Sequence, residues 1–175
     1  MTQKVILNAS PLILLGRTGY LWLISKLFHK IIIPPVVFDE VIARKTPDAL
    51  AVKRELDTGN IKIEIPTSEN VEKISRFCRK DMALGEIQVL ALALDLQNQK
   101  ERTLTILDDL PARRTAEVLG MPIIGTQGII VQALRKRLID RAEAKNIIYR
   151  LTEVGAYFDT ELVQEVLRSI EFDKT

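Results

Sequence analysis

Apolar and polar positions follow two rhythms along this chain. Val5 to Leu7, Ile31 to Ile33, Thr103 to Leu107 and Pro122 to Ile124 are short β-branched or apolar runs with no alternating charge, the pattern of strands covered on both faces of a sheet. Ile61 to Ile65 differs. Its isoleucines alternate with Lys62 and Glu64, so it reads as a half-exposed edge strand. Helical spacing fills the intervals: Leu12 to Leu15, Tyr20 to Phe28, Val36 to Arg44, Ala49 to Asp57, Ser68 to about Lys80, and Glu86 to about Asn98. It continues in a helix with Pro111 in its first turn that closes at Gly120, and in Ile129 to Leu138. A last helix, capped by Asp159 and Thr160, carries the apolar stripe Leu162, Val163, Val166, Leu167 and Ile170.

Turn residues separate these pieces. Asn8 and Ser10 are able to cap a helix, Pro11 suits its first turn, and Gly16-Arg17-Thr18-Gly19 should break it. Pro35 suits the start of the helix after the second strand. Strand alternating with helix predicts an α/β fold with a parallel sheet, Val5 to Leu7 being a central strand. In such sheets ligands bind beyond the carboxyl ends of the strands. That directs attention to Asn8 and to the paired acids Asp108 and Asp109.

Length and composition narrow the class. One hundred and seventy-five residues, 47% of them hydrophobic and 27% charged, suit one well-buried domain. A net charge of +2 announces no polyanion partner. The single cysteine, Cys78, excludes an internal disulfide and a cysteine-based metal site, and a cytoplasmic location is expected. The amino terminus lacks the apolar core of a signal peptide, and Lys26, His29 and Lys30 interrupt the most apolar region, so no membrane span is expected.

Four acids fall at strand ends or early in helices: Glu40, Glu86, Asp108 and Asp109. Each alone is explained by capping and by the helix dipole. Their convergence with Asn8 on one sheet edge is not. Several carboxylates in one cleft repel each other and call for a cation, and an oxygen-only set suits Mg²⁺ or Mn²⁺. Such a site polarises a phosphodiester and activates water.

The order of these pieces resembles a PIN domain, the nuclease fold of VapC-type toxins and their relatives. Val5 to Ile13 is similar to that family's opening strand, Ile33 to Val41 to its second motif ending in a metal-site Glu, Leu84 to Ala93 to its third, and Ile106 to Asp109 to its fourth. The Asp-Asp-x-x-Ala-Arg and Gly-Thr-x-Gly signatures, here Asp108 to Arg113 and Gly125 to Gly128, resemble those of a branch with an extra carboxyl-terminal segment. The resemblance implies a three-layer α/β/α fold, with residues 1–138 as the nuclease unit and 139–175 as a helical extension of the same domain. It also implies a metal-dependent ribonuclease. Glu40, Glu86 and Asp108 would be catalytic, Asn8 and Asp109 would join them around the metal, and Ser10 and Thr126 would line or support the cleft. Ser10 as a plain helix cap is an equal reading of the sequence.

Where most of the family has aspartate at the end of the first strand, this chain has Asn8, which offers a carbonyl oxygen without charge. Weaker metal binding follows, and two functions stay open: a slowed ribonuclease, or a fold that binds RNA or an antitoxin-like protein without turnover. A receiver-like signalling domain fits less well, because the acid pair comes late and no lysine follows Ile124. Arg113, beside the acids, is expected to touch the RNA backbone. The other basic groups, Arg135-Lys136-Arg137 and Arg76, Arg79 and Lys80, read as solvated helix faces. The dense apolar run around Trp22 is either buried on several sides or packed on a second subunit, and with the resemblance it predicts a homodimer.

Overall fold

The computed structural model describes residues 3–78 and 82–156, with Gln164, Leu167 and Arg168. In chain order it runs β1 (Lys4–Leu7), α1 (Ala9–Thr18), α2 (Trp22–Leu27), β2 (Lys30–Ile33), α3 (Pro35–Ile42), α4 (Pro47–Asp57) and β3 (Ile61–Ile63). It continues through α5 (Ser68–Phe77), α6 (Leu84–Asn98), β4 (Thr103–Ile106), α7 (Leu110–Val118), β5 (Ile123–Ile124), α8 (Thr126–Arg135) and α9 (Arg141–Glu153). The expected final helix, with its Asp159 and Thr160 cap, lies outside the described residues apart from Leu167, which packs against the core. Arg79 and Lys80 also lie outside them.

The five strands pair in parallel in the order β3-β2-β1-β4-β5. β1 is central and β3 is an edge, as the alternation predicts. This order is not the 2-1-3-4-5 order of receiver domains, which removes that reading. Val5, Ile6, Leu7, Ile31, Ile32, Ile33 and Ile106 are all buried, because helices cover both faces of the sheet. Each such side chain contributes about 1.5–3 kcal/mol of hydrophobic stabilisation. α6 lies on β1 and β4 with α5 and α7 beside it, while α1 meets α3, α4, α8 and α9. The chain is therefore a three-layer α/β/α fold, and α9 docks on α1 and α8.

Two local expectations fail for identifiable reasons. The helix after β1 does not break at Gly16 but runs to Thr18 and ends at Gly19, whose φ is +80°. Gly16 serves packing instead: a Cβ there would lie 2.7 Å from the Asp48 Cβ on α4. Neither Asn8 nor Ser10 caps that helix through its side chain. Asn8 holds the N-cap position without a side-chain cap bond, and Ser10 bonds elsewhere. β3 stops at Ile63 rather than Ile65. The basic group after α8 is partly structural, since Lys136 Nζ donates to the Leu27 carbonyl at the end of α2. Among the described residues no helix is long and apolar enough to cross a membrane.

Candidate active site

Strand order reverses between β1 and β4, and there the helices of an open parallel sheet diverge to leave a crevice. Leu7 pairs with Ile106, and the Asn8 N–H donates to the Ile106 carbonyl. Asn8 and Asp108 therefore leave the sheet at the same edge. This juxtaposition follows directly from two buried apolar runs that each end in a polar residue.

Asp108 is held at the amino end of α8. Its Oδ1 accepts from the Thr126 backbone N–H at 2.7 Å, and its Oδ2 accepts from the Thr126 hydroxyl at 2.7 Å and the Ser10 hydroxyl at 3.1 Å. Three of a carboxylate's roughly four acceptor positions are thereby used. The helix dipole of α8 adds a favourable field for the charge. Ser10 is thus a ligand of Asp108 rather than a helix cap.

Next to this group opens a cleft of about 260 Å³ whose lining includes Asn8, Ser10, Glu40, Gly85 and Glu86. Glu40 comes from the last turn of α3, and Glu86 from the first turn of α6. Glu86 Oε2 accepts from the Ala83 N–H at 2.7 Å, so this acid caps its helix and faces the cleft at once. Burial pushes the Glu86 carboxyl above its ordinary value. The Ala83 N–H and the Asn8 side chain oppose that shift, while the negative charges of Asp109 and Glu40 add to it.

Asn8 itself is buried, and its Oδ1 accepts no hydrogen bond. An alanine Cβ at position 85 would lie 3.3 Å from that oxygen and 3.5 Å from Glu40 Oε2. Glycine leaves this space open. An orphaned buried carbonyl oxygen beside two carboxylates fits a hard divalent cation, which takes oxygen ligands and relieves both the unmet acceptor and the repulsion. Among the described residues, no three His, Cys, Asp or Glu side chains form a group able to hold a metal ion by themselves. The set that converges is mixed, one amide oxygen with Glu40 and Glu86.

The other expected site residues are placed differently. Asp109 is exposed and caps α7, its Oδ1 accepting from the Ala112 N–H at 2.9 Å. It reaches the cleft only through its charge on Glu86. Arg113, expected at the RNA backbone, is half-buried and donates Nη1 to the Leu107 carbonyl at the end of β4. Two cleft residues escaped the sequence reading, Arg17 and Arg44. Helical spacing carried the signal: Arg17 stands two turns after Ser10 on α1, and Arg44 one turn after Glu40.

Comparison with known proteins agrees with this geometry. Over 96 residues the chain is 31% identical to Ribonuclease VapC3 of Aeropyrum pernix, a stretch that is 52% of this chain and 68% of that protein. The family model DUF3368, described as a PIN domain, matches residues 4–171, from the first strand past α9. Matched across nearly its whole length, with its polar cleft at the carboxyl ends of β1 and β4, the chain belongs to the PIN-domain family.

Proposed function

We propose that this PIN-type nuclease is a ribonuclease dependent on Mg²⁺ or Mn²⁺, with turnover slowed by Asn8. The observation that carries the reading is the buried, unpartnered Asn8 Oδ1 facing the same open space as Glu40. Asn8, Glu40 and Glu86 would hold the ion, with Asp108 joined to them through Ser10. The chemistry such an ion supplies is neutralisation of phosphodiester charge and acidification of water. Ser10 and Thr126 fix the orientation of the Asp108 carboxylate. Glu86, whose carboxyl burial pushes above its ordinary value, is a cleft acid whose protonated form the fold favours.

RNA as substrate is supported by the name of the relative, Ribonuclease VapC3. An antitoxin-like partner protein, a homodimer and a cytoplasmic setting belong to the same proposal. The second reading, a PIN fold that binds RNA or a protein without turnover, draws on Asn8 being uncharged and on the near-complete satisfaction of Asp108 inside the protein. Cleavage of a pooled set of labelled RNAs in Mn²⁺, Mg²⁺ and EDTA, with Asp108→Asn purified identically, separates them. Metal-dependent cleavage that disappears in the variant supports the enzyme; retained RNA binding with no cleavage in any lane supports the binder.

A further inference from the structure

The lining of the cleft carries both signs of charge, Glu40 and Glu86 beside Asn8, and Arg44 and Arg17 one and two helical turns beyond Glu40 and Ser10. Both arginines are exposed, and among the described residues neither is paired with a carboxylate. Arg17 is nevertheless held in place, because its Nη1 donates to the Val154 carbonyl, the C-cap of α9, at 3.4 Å. Two guanidinium groups that line a cleft containing two glutamates, yet pair with neither, leave cationic donors open to an anionic ligand.

We propose that Arg17 and Arg44 grip the backbone phosphate adjacent to the scissile one, so that the substrate is a strand with at least one phosphate beyond the bond that is cut. This rests on the ribonuclease reading and deepens it. A nucleic-acid strand carries one negative charge per nucleotide, so a strand whose scissile phosphate lies at Asn8, Glu40 and Glu86 brings a second phosphate with it, for which Arg17 and Arg44 are the cationic donors of the lining. Guanidinium donors in a planar fork match phosphate oxygens in pairs. Ile13 and Leu14 offer no side-chain donor or acceptor that would read a base edge there, so the grip acts on the backbone and is indifferent to sequence. Because Arg17 leans on Val154, helix α9 takes part in substrate binding by positioning it.

Binding of a short labelled single-stranded RNA of mixed sequence to the full chain in EDTA, across a salt series, tests this without turnover. Arg17→Gln and Arg44→Gln should each weaken binding about 5- to 10-fold, and the double variant should lower the slope of log K against log salt by about 0.7, the value for one single-strand phosphate. Replacing both by lysine should restore most of the slope. Arg102→Gln, exposed at the opposite end of the strands, should change neither. A double variant that binds with wild-type affinity and slope, or a wild-type protein that binds none of the RNA, overturns the proposal. Binding that depends on both arginines with no cleavage in Mn²⁺ sinks the nuclease reading alone.

Discussion

Thr126 holds Asp108 by both carboxylate oxygens, its backbone N–H donating to Oδ1 and its hydroxyl to Oδ2, each at 2.7 Å. Thr126 is fully buried, so the hydroxyl has no water to turn to. Thr126→Val keeps the shape and the backbone donor but removes one charge-assisted bond. A cost of about 1.5–3 kcal/mol is expected, read as a lowered urea midpoint, with cleavage falling as Asp108 loosens. Thr126→Ser should keep most of both.

The raised pKa of Glu86 makes a signed prediction about pH. Its protonated form is favoured in the fold, first by burial and then by Asp109 and Glu40. The fold therefore has its full share of stability from this group below the ordinary value of 4.5, and loses it as pH rises through the higher folded value. Glu86→Gln abolishes that loss while retaining an acceptor for the Ala83 N–H. Its melting temperature in EDTA should exceed that of wild type at pH 7 and coincide with it near pH 4, and equal curves at both pH values would refute the assignment.

Away from the cleft, Asp95 on α6 clasps the start of α5. Its carboxylate accepts from the Thr67 N–H at 2.7 Å, the Thr67 hydroxyl at 2.6 Å and the Asn70 Nδ2 at 2.6 Å. Asp95→Ala leaves the buried Asn70 amide and two donors of the exposed Thr67 without their acceptor, and should cost about 1.5–3 kcal/mol in denaturant unfolding. RNA cleavage per folded molecule, measured well below the melting point, should change little, since α6 keeps Glu86 in its first turn.

The sheet was legible because buried strands and exposed ones leave different patterns: Ile31 to Ile33 has no polar residue, whereas Lys62 and Glu64 mark the edge. Asn8 and Glu40 were legible because each closes or follows a strand-to-helix step, and Glu86 because it falls in the first turn of a helix. What stayed hidden depends on contacts between distant segments. Ser10 is an ordinary capping residue by sequence, and only the pairing of β1 with β4 brings it to Asp108. Gly16 looks like a breaker until α4 is seen against it. Adjacency to Asp108 points to Asp109 at the metal and Arg113 at the RNA backbone, whereas the bonds that Asp109 makes to cap α7 and Arg113 to the Leu107 carbonyl show only in the folded chain. Arg17 and Arg44 needed the position of α9 and the end of α3 before either could be placed in the cleft.

Asn8→Asp bears most directly on the choice between enzyme and binder. The substitution puts a charge at a buried acceptor that lacks a partner, and it removes the Asn8 donor that now lowers the Glu86 pKa. Without divalent cation, three carboxylates then face the same small space, so the melting temperature in EDTA should fall and the Glu86 pKa should rise further. With Mn²⁺ the order reverses: the added charge strengthens binding of the ion, and a ligand that binds only the folded state raises stability by RT ln(1 + [L]/Kd). The rise in melting temperature on adding Mn²⁺ should therefore be larger for Asn8→Asp than for wild type, and RNA cleavage should increase with it. A larger Mn²⁺ shift without any gain in cleavage would mean that the ion site exists but the chain has become a binder. An unchanged shift would mean that Asn8 does not face the ion at all.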